Sequence, residues 1–242
     1  FHTITKFSIE QSDRISAVSH FLRDETQKAF GCAGCDVQVI HNFVDPEVYD
    51  RTRYPPTLRG QFDGSRKVLM HISNFRPVKR VRDIVRIFER VTREIPSVLV
   101  MVGDGPDRVD AEDEARRLGV EDSVFFLGKI DAVAPLLAGA DLFLLPSQHE
   151  SFGLSALEAL ACGVPVVATN SGGVAEVVTD GETGALCPVG DVAAMAAAAL
   201  KILGEPGRWE RMSIAAAADA RHRFARDAVV SQYEALYRDA LA

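Results

Sequence analysis

Two carboxylates with seven residues between them, Glu150 and Glu158, stand in the stretch HESFGLSALEALACG, His149 to Gly163. The run around Glu158 is apolar, with Leu154, Leu157 and Leu160 at helical spacing, and it predicts a helix packed on the core. A carboxylate there is costly unless a partner or a ligand meets it. Placed about one and a half turns into the helix, Glu158 is suited to accept two vicinal hydroxyls, as a ribose offers. The plainer alternative is a structural ion pair with Lys79 or Arg76. Glu150 precedes the helix and is expected at the mouth of a site. Ser151 or Phe152 is expected to cap the helix, and Gly153 lets a ligand approach the backbone. The free N–H groups of the first turn then favour an anion.

Cations point the same way. SNFRPVKR places Arg76, Lys79 and Arg80 within five residues of a chain whose net charge is −7. A charged run is often only a solvated face, but this one follows an apolar run that reads as a strand. A third loop, NSGG, Asn170 to Gly173, again lies between strand and helix. Together the three loops suit a diphosphate better than a lone carboxylate. VGDGP, Val102 to Pro106, falls short of a G-x-G-x-x-G because Arg108 holds the third glycine position, and no acid closes the next strand. A dinucleotide-dependent dehydrogenase therefore fits poorly. His71 is expected in the core, His20 on a helix and His149 beside Glu150, either at a substrate or on the surface. Cys32 and Cys35 form a C-x-x-C without a second pair, so they read as loop residues rather than a zinc or redox site, and Cys162 and Cys187 are isolated.

The elements that must position these residues alternate. KVLMHIS, SVLVMVG, SVFFLG, DLFLLPS, GVPVVAT and TGALCP read as short buried strands. Between them lie an amphipathic helix with Ile84, Ile87, Phe88 and Val91 on one face, a polar helix with Pro106 in its first turn and Gly119 closing it, and the helix of the two acids. An Ala-rich helix and two more helices follow. Strands alternating with helices imply a mostly parallel, doubly wound α/β sheet whose ligands sit at the carboxyl ends of the strands. The loops SNFRPVKR, GDGPDR, GKID, SQHESFG and TNSGG are the candidates. Residues 1–60 read as the tail of a different α/β unit ending in a Pro- and Gly-rich linker. The acidic balance argues against nucleic acid and against an anionic membrane surface as partners, and no apolar run approaches the roughly 20 residues of a membrane span. The N-terminus has no secretory pattern and no Met, so the start of the chain is expected to lie upstream, and the composition suggests the cytoplasm.

These motifs resemble glycosyltransferase family 4, retaining enzymes of GT-B fold. The likeness covers nearly the whole chain. It rests on ESFGLSALEALACGVPVVATNSGGVAEVV, with support from VGDGP and GADLFLLPS. FSIEQSD, VIHNFVD and ISNFRPVKRV look most like members that move GlcNAc from UDP-GlcNAc to the hydroxyl of L-malate in bacillithiol biosynthesis. The resemblance implies that residues 1–60 end an acceptor-side domain, that 61–226 form the Rossmann-like nucleotide-sugar domain, and that 227–242 form a helix crossing back to the first domain. Lys79 then matches the lysine of the donor diphosphate. Asn74 stands where the family carries an arginine, and Arg76 is the nearby source of that charge. Glu150 matches the acid beside the transferred sugar, and Phe152, Gly153 and Leu154 match the backbone around sugar and phosphate. Glu158 matches the ribose ligand, and Lys129 and Ile130 lie where the family's uracil meets main chain. His149 and Gln148 differ from the commoner residues and are placed to tune sugar choice.

The implied chemistry needs no metal or other cofactor. Cations and helix dipoles help UDP depart, and no enzymic nucleophile is assigned. With most of the acceptor-side domain outside it, the chain is expected to bind donor nucleotide without turning over. The alternatives are a family member using another donor, or an inositol phosphate or lipid acceptor, and a nucleotide-binding module that is not an enzyme. A homo-oligomer is left open.

Overall fold

The protein is described by a computed structural model covering residues 2–32, 35–55, 57–62 and 64–242. Helix α1 (His2–Glu10), strand β1 (Ile15–Ala17), helix α2 (His20–Phe30) and strand β2 (Val37–Val39) come first, then a short helix α3 (Thr57–Gly60). The alternating part runs β3 (Lys67–Ile72), α4 (Val81–Thr92), β4 (Ser97–Val102), α5 (Arg108–Leu118), β5 (Val124–Gly128), α6 (Ala134–Ala138) and β6 (Leu142–Leu145). It continues with α7 (Leu154–Ala161), β7 (Val166–Thr169), α8 (Val174–Val177) and β8 (Gly184–Cys187). Helices α9 (Val192–Gly204), α10 (Arg208–Arg223) and α11 (Arg226–Leu241) complete the chain.

Strands β3 to β8 form one sheet in the order β5-β4-β3-β6-β7-β8, every pair parallel. Alternation along the strands divides the core. Val68 and Met70 face one layer with Phe143, Leu157 and Leu160. Leu69 and Met101 face the other with Ile84, Ile87, Phe88 and Val91 of α4. The helical stripe read from the sequence is therefore the buried face of α4, and all four of its residues are fully buried. The fold is the doubly wound α/β sheet that the alternation implies.

The strand order sets the position of the site. From β3 the chain winds outward through β4 and β5, and from β6 it winds the other way through β7 and β8. The direction reverses between β3 and β6, so the loops leaving those two strands diverge and open a crevice between them.

One helix start differs from the expectation. Pro106 lies before α5 rather than in its first turn, because Asp107 is the N-cap. The Asp107 N–H donates to Phe75 O at 3.0 Å, which ties this turn to the loop after β3 and delays the helix. Gly119 closes α5 in a left-handed conformation, as expected.

The N-terminal residues form a separate two-stranded parallel sheet of β1 and β2. Helix α11 packs on it through Val229 and Leu236 against Ile40, and Arg14 Nη2 donates to Asp239 O at 3.0 Å. Val44 joins the two parts: its N–H donates to Phe224 O, and its carbonyl accepts from Arg226 N. Among the described residues no helix is long and apolar enough to cross a membrane.

Candidate active site

A cleft of about 380 Å³ opens at the reversal point between β3 and β6. Ile72, Ser73, Asn74 and Lys79 line one side, and Glu150 to Ser155 together with Glu158 line the other. Asn42, from the segment joining the N-terminal residues to the large sheet, also reaches it. The two acids and Lys79 thus share one cavity although Lys79 lies some seventy positions before Glu150 and the helix that carries Glu158.

Lys79 ends a short 3₁₀ turn over Pro77–Lys79, and its Nζ lies 2.5 Å from Glu150 Oε1. Ser147 Oγ donates to the same oxygen at 2.8 Å. Both partners of the ion pair are largely out of water. The loop must bend sharply to deliver Lys79: Phe75 and Arg80 adopt positive φ angles of 37° and 51°. Strain of that kind in non-glycine residues collects where a site requires it.

Of the three cations in this loop, the structure brings only Lys79 into the cleft lining. Arg80 turns back on its own helix and pairs with Asp83, Nη2 to Oδ2 2.6 Å. Arg76 is exposed and does not line the cleft. Asn74 does line it.

The junction into α7 differs from the expected cap. Neither Ser151 nor Phe152 is the N-cap; Gly153 is, at φ 96°, ψ 48°, and no side chain caps the helix. The reason is steric. That left-handed conformation suits glycine best, and the helix starts without a side-chain cap at Leu154 and Ser155, both in the cleft lining, where a helix end attracts an anion. Phe152 is buried and anchors the turn between the rings of His41 and Phe224.

The third loop, Asn170 to Gly173, does not line the cleft; it supports the second loop from behind. Gly173 N donates to Glu150 O at 2.8 Å, and a Cβ on Gly172 would lie 1.9 Å from that same oxygen. The glycine pair therefore serves close backbone packing under Glu150.

Glu158 lies half-buried on α7 and pairs with neither Lys79 nor Arg76. Its Oε1 accepts from the Tyr49 hydroxyl at 2.8 Å. Burial pushes the Glu158 carboxyl above the usual carboxylate range, and the Tyr49 bond works against that.

The remaining expectations are placed as follows. His149 is exposed, with its ring edge-on to Phe21 at 5.1 Å, and lies outside the cleft lining. Lys129 and Ile130 follow β5, two strands away from β3; Lys129 is exposed and Ile130 packs on the core. His71 is fully buried, between Leu144 O at Nδ1 and Ser73 Oγ at Nε2. Cys32, Cys35, Cys162 and Cys187 are free thiols; Ala33 and Gly34 of the C-x-x-C lie outside the described residues. Sequence reasoning missed Asn42, Tyr49, Ser73 and Ser147. Three of them carry a signal: Asn42 lies in VIHNFVD, and Ser73 and Ser147 open the candidate loops SNFRPVKR and SQHESFG; Tyr49 lies outside all of these stretches.

His20, His41 and Glu176 also converge, with potential ligand atoms within 4.8 Å of one another. Glu176 is already committed as a cap: its oxygens accept from the N–H groups of His20 and Phe21, both at 2.9 Å, and from His41 Nε2 at 3.2 Å. Burial works to raise its carboxyl, but these bonds outweigh it and hold the group below its ordinary value. Ser19 completes the joint by donating to Ser151 O at 2.6 Å.

A doubly wound parallel sheet with its cleft at the switch point defines the Rossmann-like half of a GT-B-type fold. Sucrose-phosphate synthase from Thermosynechococcus elongatus superposes on it with a TM-score of 0.86 at 24% identity, over 99% of this chain and 61% of that one. Anabaena HepE in complex with UDP and glucose gives a TM-score of 0.83 at 25% identity, over 96% of this chain and 64% of that one. The family description "Glycosyl transferases group 1" matches residues 59–219, and "Glycosyltransferase Family 4" matches residues 1–48. The chain belongs to the group 1 glycosyl transferases. It is 43% identical to N-acetyl-alpha-D-glucosaminyl L-malate synthase of Bacillus anthracis, over 99% of this chain and 63% of that protein. It is 33% identical to a glycogen synthase of Mycobacterium tuberculosis, over 96% of this chain and 53% of that protein. The chain thus spans between half and two thirds of the length of these relatives.

Proposed function

We propose that this chain is the donor-binding part of a retaining glycosyltransferase that takes GlcNAc from UDP-GlcNAc and delivers it to L-malate in the cytoplasm. The observation that carries the reading is the meeting of Glu150, Glu158, Lys79 and the uncapped start of α7 in one cleft. A nucleotide diphosphate sugar needs an acceptor for ribose hydroxyls, a cation and N–H donors for the diphosphate, and an acid near the sugar. Read in that order, Glu158 takes the ribose, Lys79 and the N–H groups of Leu154 and Ser155 take the diphosphate, and Glu150 lies against the sugar.

The chemistry follows from charge. As the sugar–phosphate bond breaks, negative charge grows on the UDP oxygen and positive charge on the sugar ring. Lys79 and the helix dipole stabilise the first, and the Glu150 carboxylate stabilises the second. The acceptor hydroxyl attacks from the face that the phosphate leaves, and the phosphate oxygen receives its proton. No residue of this chain is a nucleophile in that scheme, and the diphosphate charge is met by side chain and backbone without a metal. The likeness to the malate synthase supports donor and acceptor.

Calorimetry of this chain with UDP-GlcNAc, UDP-glucose and GDP-mannose tests the donor. UDP-GlcNAc is expected to bind most tightly, and a preference for GDP-mannose would overturn the choice. An assay of the full-length protein with L-malate tests the acceptor. A similarity of 34% identity to D-inositol 3-phosphate glycosyltransferase of Kribbella flavida makes inositol phosphate the acceptor to run beside it.

A further inference from the structure

Among the described residues, the hydrogen bond that the Glu158 carboxylate accepts from a side chain comes from outside the sheet domain's loops. Tyr49 lies in the segment that links the N-terminal residues to the large sheet, and its hydroxyl donates to Glu158 Oε1 at 2.8 Å. We propose that Tyr49 is a positioning residue for nucleoside recognition: it fixes the rotation of the Glu158 carboxylate so that Oε2 faces the cleft as an acceptor for a pair of vicinal hydroxyls.

The linker is built to hold Tyr49 still. The N–H groups of Val48 and Tyr49 both donate to Asp45 O, at 3.0 and 2.9 Å. Asp45 is itself paired with Arg226, Oδ2 to Nη1 2.5 Å. Two residues beyond Tyr49, Arg51 donates to Cys162 O at 3.0 Å and Ala140 O at 2.6 Å, and its guanidinium lies over the Trp209 ring. Tyr54 Oη closes the turn on Val48 O at 2.8 Å. The Tyr49 ring packs against the core cluster that contains Leu157 and Leu160 of α7. The hydroxyl is therefore presented from a segment bonded to the sheet domain on both sides.

Glu158 needs such a partner. A half-buried carboxylate with no donor would turn about its last torsion and favour its neutral form, which accepts hydrogen bonds poorly. One fixed donor on Oε1 favours the ionised carboxylate and leaves the other oxygen for ligand. Burial and the bond to Glu158 together raise the Tyr49 phenol above its ordinary value, so it remains a donor.

This inference rests on Glu158 being the ribose ligand, and its test separates the two. UDP and 2′,3′-dideoxy-UDP are titrated calorimetrically into the chain and into Tyr49→Phe and Glu158→Ala, with the melting temperature of each variant measured. Tyr49→Phe keeps the ring and its packing. It is expected to weaken UDP roughly fivefold, the weight of one hydrogen bond, and to leave dideoxy-UDP unchanged. Glu158→Ala is expected to erase the preference for UDP. If Glu158→Ala erases it and Tyr49→Phe leaves it intact, or weakens both ligands equally, Tyr49 does not position the carboxylate. If Glu158→Ala retains the preference, the ribose assignment fails and the role of Tyr49 with it.

Discussion

Lys79 Nζ and Ser147 Oγ converge on a single oxygen of Glu150, at 2.5 and 2.8 Å, which joins the loop after β3 to the loop after β6 across the mouth of the cleft. The lysine thus reaches the cleft already opposed by an acid. A diphosphate entering there competes with Glu150 for the ammonium, or shares it.

This relationship makes Lys79→Ala informative. Calorimetry is expected to show UDP binding reduced by roughly 10- to 100-fold, the weight of a charge-assisted hydrogen bond, while uridine binding changes little. Equal losses for the two ligands would remove Lys79 from the phosphate position.

Glu150→Gln keeps an oxygen for Ser147 and removes the charge. In the full-length protein its turnover is expected to fall on the order of a hundredfold, as when one preorganised electrostatic contact is lost, with UDP affinity held within a few-fold. Steady-state kinetics beside UDP titration measure both. A loss confined to UDP affinity would make Glu150 a binding residue only.

Gly172→Ala tests the support behind the acid. Gly172 adopts φ 71°, and an added Cβ would lie 1.9 Å from Glu150 O and 3.0 Å from Glu150 N. Both the left-handed backbone and the clash resist substitution, so a loss of about 2 kcal/mol or more is expected in urea unfolding. UDP-sugar binding is expected to weaken as well, because the Glu150 backbone must move. A variant with native stability and affinity would show that the loops have room to part.

His71 predicts an acid-sensitive window. Burial pushes its imidazole down from the ordinary 6.5 to about 4, with Lys79 acting in the same direction. Below pH 6.5 the unfolded chain takes up a proton that the folded chain refuses until about pH 4. The contribution is therefore complete above pH 6.5 and is lost as pH falls toward 4, with a span on the order of 3 kcal/mol. Urea unfolding at several pH values is expected to show this slope, and His71→Gln is expected to flatten it. An undiminished slope in the variant would assign the acid sensitivity to other groups.

The sequence by itself determined the layers and the chemistry on offer. Short apolar runs and helical periodicity are local, so the strands, the buried stripe of α4 and the core place of His71 are legible directly. The spacing of Glu150 and Glu158 belongs to one strand-to-helix junction and was equally legible. Strand order is not local. Residue types single out three of the five candidate loops, but only the reversal between β3 and β6 makes two of them face each other and leaves the third behind. The same nonlocal packing separated Lys79 from Arg76 and Arg80, gave the glycine pair of the third loop to the Glu150 backbone, and set Tyr49 rather than a cation against Glu158. A residue type and a spacing specify what a side chain is able to donate or accept. Which partner it meets depends on contacts between segments far apart in the chain, and those exist only once the sheet has closed.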